Sequence, residues 1–175
     1  MRAVTELLLL RHAKAADGPR DALRALAERG CRDAPRIGRW LEQHDLVPDR
    51  VLCSPAVRTR QTAALVLAEC GDAAPTPRPD DRLYLPSVTT LFEVLLDLGA
   101  GARRLLVVGH NPGLSDLVEV LCGTEVPADP DTGVVFPTAG LAHLTLDGDV
   151  TDLAPRCAEL TNFVRARQLF VDDAP

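Results

Sequence analysis

Three stretches of the chain are apolar without interruption and then turn abruptly polar. LLLL at 7–10 runs into Arg11-His12, VLC at 51–53 into Ser54-Pro55, and LLVV at 105–108 into Gly109-His110-Asn111-Pro112. Short apolar runs bounded by turn-forming residues predict strands buried on both faces, the kind found in parallel sheets covered by helices. Between them, apolar positions recur at helical spacing. One helix is expected from about 26 to 43, with Ala34, Ile37 and Leu41 on one face and Gly30 near its start. A second carries Val57, Ala64 and Leu67. A third, capped by Ser87, carries Leu91, Val94, Leu95 and Leu98, and a fourth, from about 113 to 121, carries Leu114, Leu117, Val118 and Leu121. Pro75, Pro77 and Pro79 mark an irregular connection. The final third changes period, because GLAHLTLDGDV alternates and holds an Asp-Gly turn signal, the mark of antiparallel strands.

These elements add up to an α/β fold: a three-layer α/β/α sandwich whose sheet is mostly parallel, with one or more antiparallel strands at an edge. The 175 residues show no repeat and no linker, so one domain spanning 1–175 is expected. Aromatic residues make up only 3% of the chain, which leaves the core to Leu, Val and Ala and argues against base-stacking platforms. A net charge of −6 speaks against general binding to nucleic acid or to an anionic membrane, while leaving room for a local cationic pocket. The five cysteines (31, 53, 70, 122 and 157) form no C-x-x-C pair and no metal-binding spacing, so reduced thiols in a cytoplasmic protein are expected. The N-terminal apolar run is too short for a secretory signal, and no run is long enough to span a membrane.

In a parallel sheet, ligands collect beyond the carboxyl ends of the strands. The three runs therefore deliver Arg11, His12, Arg58 and His110 to one rim. A neutral imidazole can attack phosphorus in line while guanidinium groups grip the equatorial oxygens, and a second imidazole adds a donor as charge redistributes. That set points to phosphoryl transfer through a covalent histidine, with an oxyanion bound among the arginines. His44, at a predicted helix end, reads as a cap on the last carbonyls, His143 as a sheet-face residue, and Arg60 as solvated. Gly-His-Asn-Pro-Gly lacks the lysine of a nucleotide P-loop.

The motifs LRHAKA, SPAVRTRQTA and VVGHNPGLSDL, in that order and spacing, resemble the histidine phosphatase superfamily, and most of all its short SixA-type branch of phosphohistidine phosphatases. FPTAGLAHLTL is similar to that branch's late strand. The resemblance implies the phosphoglycerate-mutase-like fold and a metal-independent phosphatase that requires no cofactor. It implies His12 as the nucleophile, with Arg11, Arg58 and His110 as its catalytic partners, and RALAERG places Arg24 near the phosphoryl pocket as a substrate-binding residue. The superfamily's common Arg-His-Gly is Arg-His-Ala here. Larger relatives carry an insertion with a general-acid carboxylate, whereas the stretch from 70 to 87 is short and holds only Asp72, Asp80 and Asp81, of which Asp80 and Asp81 read as loop solvation. The short stretch favours a phosphorylated histidine-containing protein as partner over sugar phosphates. Two other readings stand beside it: a phosphatase of small phosphoesters, and a phosphoanion-binding regulatory module without turnover.

Overall fold

The computed structural model describes residues 4–169. Leu7, Leu8, Leu9 and Leu10 are all fully buried within β1 (Val4–Arg11), so this strand hides both of its faces. Each such leucine contributes about 2 kcal/mol of transfer free energy, and collecting it requires a helix layer on either side. Leu8 and Leu10 pack with Ala34, Ile37 and Leu41 of α1 (Glu28–Gln43) and with Ala63 and Val66 of α2 (Val57–Ala68). Leu7 and Leu9 pack with Leu91, Val94 and Leu95 of α3 (Val88–Leu98) and with Leu114 and Leu117 of α4 (Gly113–Cys122).

The remaining strands are β2 (Arg50–Cys53), β3 (Arg78–Pro79), β4 (Arg104–Gly109), β5 (Gly140–Asp147) and β6 (Ala158–Arg165), and they form one sheet in the order β3-β2-β4-β1-β5-β6. The pairs β1·β4, β2·β4 and β2·β3 are parallel, while β5 runs antiparallel to both β1 and β6. This is the expected mostly parallel sheet with an antiparallel edge. Arg11 lies opposite Gly109, and Leu10 and Cys53 both lie opposite Val108. Three neighbouring strands therefore end at one level. Backbone bonds extend the alignment one residue further, from His12 N–H to the Gly109 carbonyl (3.0 Å) and from Ser54 N–H to the Val108 carbonyl (3.1 Å).

Local departures from the sequence reading have identifiable causes. Helix α1 begins at Glu28 rather than near 26, because Leu26 N–H donates to Gln61 Oε1 (2.7 Å) and Ala27 N–H to the Lys14 carbonyl (2.9 Å). Those bonds commit the two residues to the loop after β1. The proline-rich connection contains the two-residue edge strand β3, where Pro79 is tolerated at the sheet margin. Asp147-Gly148 does end β5, yet the chain passes through a 3-10 turn at Val150–Asp152 before β6. His44 caps α1 as expected, with Nδ1 2.8 Å from the Trp40 carbonyl, and Ser87 caps α3 by accepting from Thr90 N–H (3.2 Å).

Gly30 decides how closely α1 approaches the loop that carries the site. A Cβ at this position would stand 2.2 Å from the Lys14 carbonyl oxygen, a distance at which backbone must move. Gly30→Ala is expected to destabilise the protein by about 1–3 kcal/mol and to lower its thermal midpoint. A melting curve within a degree of wild type would show that α1 and the loop have room to separate.

Candidate active site

The rim beyond β1, β2 and β4 collects side chains from five segments. Arg11 closes β1 and His12 follows it. Nδ1 of His12 lies 2.8 Å from the Ala13 carbonyl, which can only accept, so Nδ1 carries the proton and the Nε2 lone pair is free. The loop is fixed from below, since Ala13 N–H donates to Thr62 Oγ1 (3.0 Å) and that hydroxyl donates to the Arg58 carbonyl (2.7 Å). One hydroxyl thus ties the residue after His12 to the turn of α2 that bears Arg58.

His110 follows β4 and is almost fully buried. Its Nε2 lies 2.7 Å from Ser54 Oγ, and Nδ1 lies 3.4 Å from an Arg58 terminal nitrogen. Because a guanidinium only donates, these partners assign the proton to Nε2. The His110 ring stands edge-on to His12 at 5.4 Å between centroids and to Tyr84 at 5.5 Å. Arg11 donates from one terminal nitrogen to the Phe136 carbonyl (2.9 Å), while its buried Nε has no hydrogen-bond partner among the described residues. Phe136 holds a left-handed φ of 51°, unusual for a bulky residue, and its carbonyl also accepts from Asn111 (3.3 Å).

Arg58, buried in the first turn of α2, donates to Asp21 twice: to its carbonyl (2.6 Å) and to Oδ2 (2.9 Å). Oδ2 also accepts from the Tyr84 hydroxyl (2.5 Å), and Oδ1 from Arg24 (3.1 Å). Arg24 is anchored in turn on the Ala16 carbonyl (2.8 Å).

Burial pushes the His12 imidazole down to about 4, and the nearby Arg58, Arg11 and Arg24 charges act in the same direction against the bond to Ala13. Burial likewise pushes His110 down to about 3, reinforced by His12 and Arg58. Both rings are therefore neutral at pH 7. Asp21 moves the other way: the hydrogen bond from Tyr84, followed by that from Arg58, holds its carboxyl well below the usual carboxylate range. The same bond raises the Tyr84 phenol. The arrangement is a cationic pocket with an unprotonated, nucleophilic ring nitrogen, suited to an oxyanion and to attack upon it. Among the described residues, no group of three or more His, Cys, Asp or Glu side chains could hold a metal ion.

The structure brings together the five residues singled out from the sequence: Arg11, His12, Arg58 and His110 around the pocket, and Arg24 at its margin. It leaves the others elsewhere. Arg60 is exposed, His143 sits in β5 between Glu6 and Asn162, and Asp80 pairs with Arg82. Sequence reasoning missed Asp21, Tyr84, Thr62 and the role of Ser54. Asp21 had a local signal, lying three residues before Arg24, but the bond that brings Tyr84 to it spans 63 positions.

A family model for the histidine phosphatase superfamily (branch 1) matches residues 7–84. An uncharacterized protein of Mycobacterium tuberculosis is 42% identical over 159 residues, covering 88% of this chain and 98% of that protein. The phosphohistidine phosphatase SixA of Escherichia coli is 31% identical over 150 residues, 81% of this chain and 86% of that one. Among solved structures, a SixA-type protein of Nakamurella multipartitia superposes with a TM-score of 0.78 at 33% identity, covering 93% of this chain and 96% of that one. The protein histidine phosphatase SixA complexed with tungstate gives 0.76 at 26% identity, covering 94% and 99%. Fold and comparisons together define a phosphoglycerate-mutase-like α/β protein. The chain belongs to the histidine phosphatase superfamily, in its SixA-type group.

The two depressed imidazoles set a pH dependence of stability. Between about 6.5, the value of an unfolded histidine, and about 4 for His12 or 3 for His110, the unfolded chain binds protons that the folded one refuses. Stability from these groups is full above that window and falls as the pH drops through it. His110→Asn is expected to reduce the loss between pH 7 and pH 5 by an amount on the order of 1 kcal/mol. Urea unfolding of both proteins at the two pH values measures it, and identical pH dependence would contradict the neutral, buried imidazole.

Proposed function

We propose that this protein removes the phosphoryl group from phosphohistidine on a protein, through a covalent intermediate on His12. The observation that carries this reading is a neutral His12 whose Nδ1 is committed to the Ala13 carbonyl, leaving the lone pair on Nε2, with its ring beside His110 and under the charges of Arg58 and Arg11. In the first step Nε2 attacks phosphorus and the substrate's N–P bond breaks, while Arg11 and Arg58 hold the equatorial oxygens. His110, its one proton directed at Ser54 Oγ, orients Arg58 by accepting from it. In the second step water attacks the phosphorylated His12, and the ring departs with its proton still on Nδ1, held by the Ala13 carbonyl. Charge stabilisation comes from the guanidinium groups, so the scheme calls on no metal and no cofactor.

Two further observations support a protein substrate. SixA of Escherichia coli bears the name phosphohistidine phosphatase. Around the pocket, segments that contribute to it also expose apolar side chains: Leu23 (60% exposed) beside Asp21 and Arg24, Leu85 (56%) beside Tyr84, and Val134 and Val135 (43% and 46%) before Phe136. Exposed apolar groups on the segments that also contribute to a charged pocket suit the surface of a folded partner better than a hydrated sugar phosphate. All five cysteines are free, and no helix among the described residues is long and apolar enough to cross a membrane, which fits a cytoplasmic enzyme.

Incubation with a phosphohistidine carrier protein tests the reading. Wild type is expected to release phosphate and, on rapid quench, to hold label that is lost in acid and stable in base. His12→Ala is expected to lose the label and to slow release by about a thousandfold or more. Equal release by the two proteins would remove His12 from the role.

A further inference from the structure

The position of Asp21 speaks to which leaving group the pocket accepts. Its carboxylate lies on the solvent side of a deep guanidinium, the Asp21 side chain being 46% exposed and that of Arg58 only 4%. A substrate's phosphoryl group enters toward His12 and Arg58, and the remainder of the substrate stays at the mouth. In an in-line displacement the departing atom lies opposite the attacking nitrogen, on the side that leads out of the pocket. Among the described residues, Asp21 is the only carboxylate hydrogen-bonded to Arg58 or Arg24, and none is bonded to Arg11, His12 or His110.

Its acceptor capacity is not exhausted. A carboxylate offers about four acceptor positions. Arg58 and Tyr84 take two on Oδ2, and Arg24 takes one on Oδ1. One position on Oδ1 remains, on a side chain open to solvent.

We infer that Asp21 is the specificity-determining residue for an imidazole leaving group, its carboxylate accepting the ring N–H of the departing histidine while the N–P bond breaks. This rests on the phosphohistidine reading of the same site. The substrate enters with its imidazole protonated on the nitrogen that does not bear phosphorus. His12 Nε2 forms the new N–P bond, the electron pair of the old one returns to the substrate nitrogen, and the histidine leaves as a neutral ring that keeps its N–H. No proton passes to or from Asp21. One N-phosphoryl imidazolium has been exchanged for another, with Nδ1–H of His12 donating to the Ala13 carbonyl and the ring N–H of the substrate donating to Asp21. An alkyl ester asks for something different, since its alkoxide needs a proton. Asp21, held ionised by Tyr84 and Arg58, has none to give.

Asp21→Asn keeps the size and the contact with Arg58 but loses the charge. The full chain and this variant are assayed on phosphohistidine and on p-nitrophenyl phosphate, whose phenolate departs without protonation. The ratio of kcat/KM for phosphohistidine to that for p-nitrophenyl phosphate is expected to fall at least tenfold in Asp21→Asn, consistent with the worth of a charged hydrogen bond, and to recover in part in Asp21→Glu. Thermal unfolding of each variant verifies the fold. A ratio that stays constant overturns the inference, because an equal fall on both substrates makes Asp21 a positioning residue for Arg58 and no fall makes it a bystander. Wild type that cleaves p-nitrophenyl phosphate but not phosphohistidine overturns the functional reading and this inference with it. Wild type active on phosphohistidine with an unchanged ratio in the variant overturns the inference alone.

Discussion

The site depends on one register. β4 pairs with β1 on one side and with β2 on the other, and its last two residues lie opposite the last residues of both neighbours. A one-residue slip of β1 against β4 would turn Leu7 and Leu9 toward the wrong helix layer and displace His12 from His110 by a strand residue, roughly 3.3 Å. The apolar runs therefore do two things at once. They bury each strand on both faces, and in doing so they hold three polar loops at one height.

Within that frame, Arg58 is the hinge of the electrostatics. It reaches His110 on one side and Asp21 on the other, and its own carbonyl accepts the hydroxyl that steadies Ala13. Burying a guanidinium without partners would be costly. Here the compensation comes from a carboxylate at the mouth of the pocket, and the same burial keeps both imidazoles neutral. The neutral rings, the cationic pocket and the carboxylate beside it are thus consequences of one buried cation and the groups gathered about it.

How much of this was legible in the sequence varied with the range of the interaction. The strand runs at 7–10, 51–53 and 105–108, the inner faces of α1, α3 and α4, the Ser87 cap and the His44 cap follow from neighbours a few positions apart, and each is found where the pattern placed it. The face of α2 is not, because Ala64 is exposed and Val57 half-buried while Thr59, Thr62, Ala63, Val66 and Leu67 turn inward, the hydroxyls being satisfied by backbone carbonyls. Arg11, His12, Arg58 and His110 could be proposed together because each sits within a few residues of such a run. The start of α1 could not be read, since Gln61 and Lys14 claim the backbone of Leu26 and Ala27. Nor could Tyr84, the only tyrosine of the chain, whose partner is 63 residues away and whose sequence neighbourhood carries no motif.

The sequence by itself determined which segments are buried, in what order they alternate between strand and helix, and which loops carry ionisable side chains, because burial and periodicity are local properties of the chain. Only the tertiary structure decided which lone pair of His12 is free, that both imidazoles lose their protons, and that Asp21 faces Arg58, Arg24 and Tyr84 together. Those properties arise from dehydration and from charges brought within a few ångströms by long-range packing. No stretch of residues contains them until the sheet has formed.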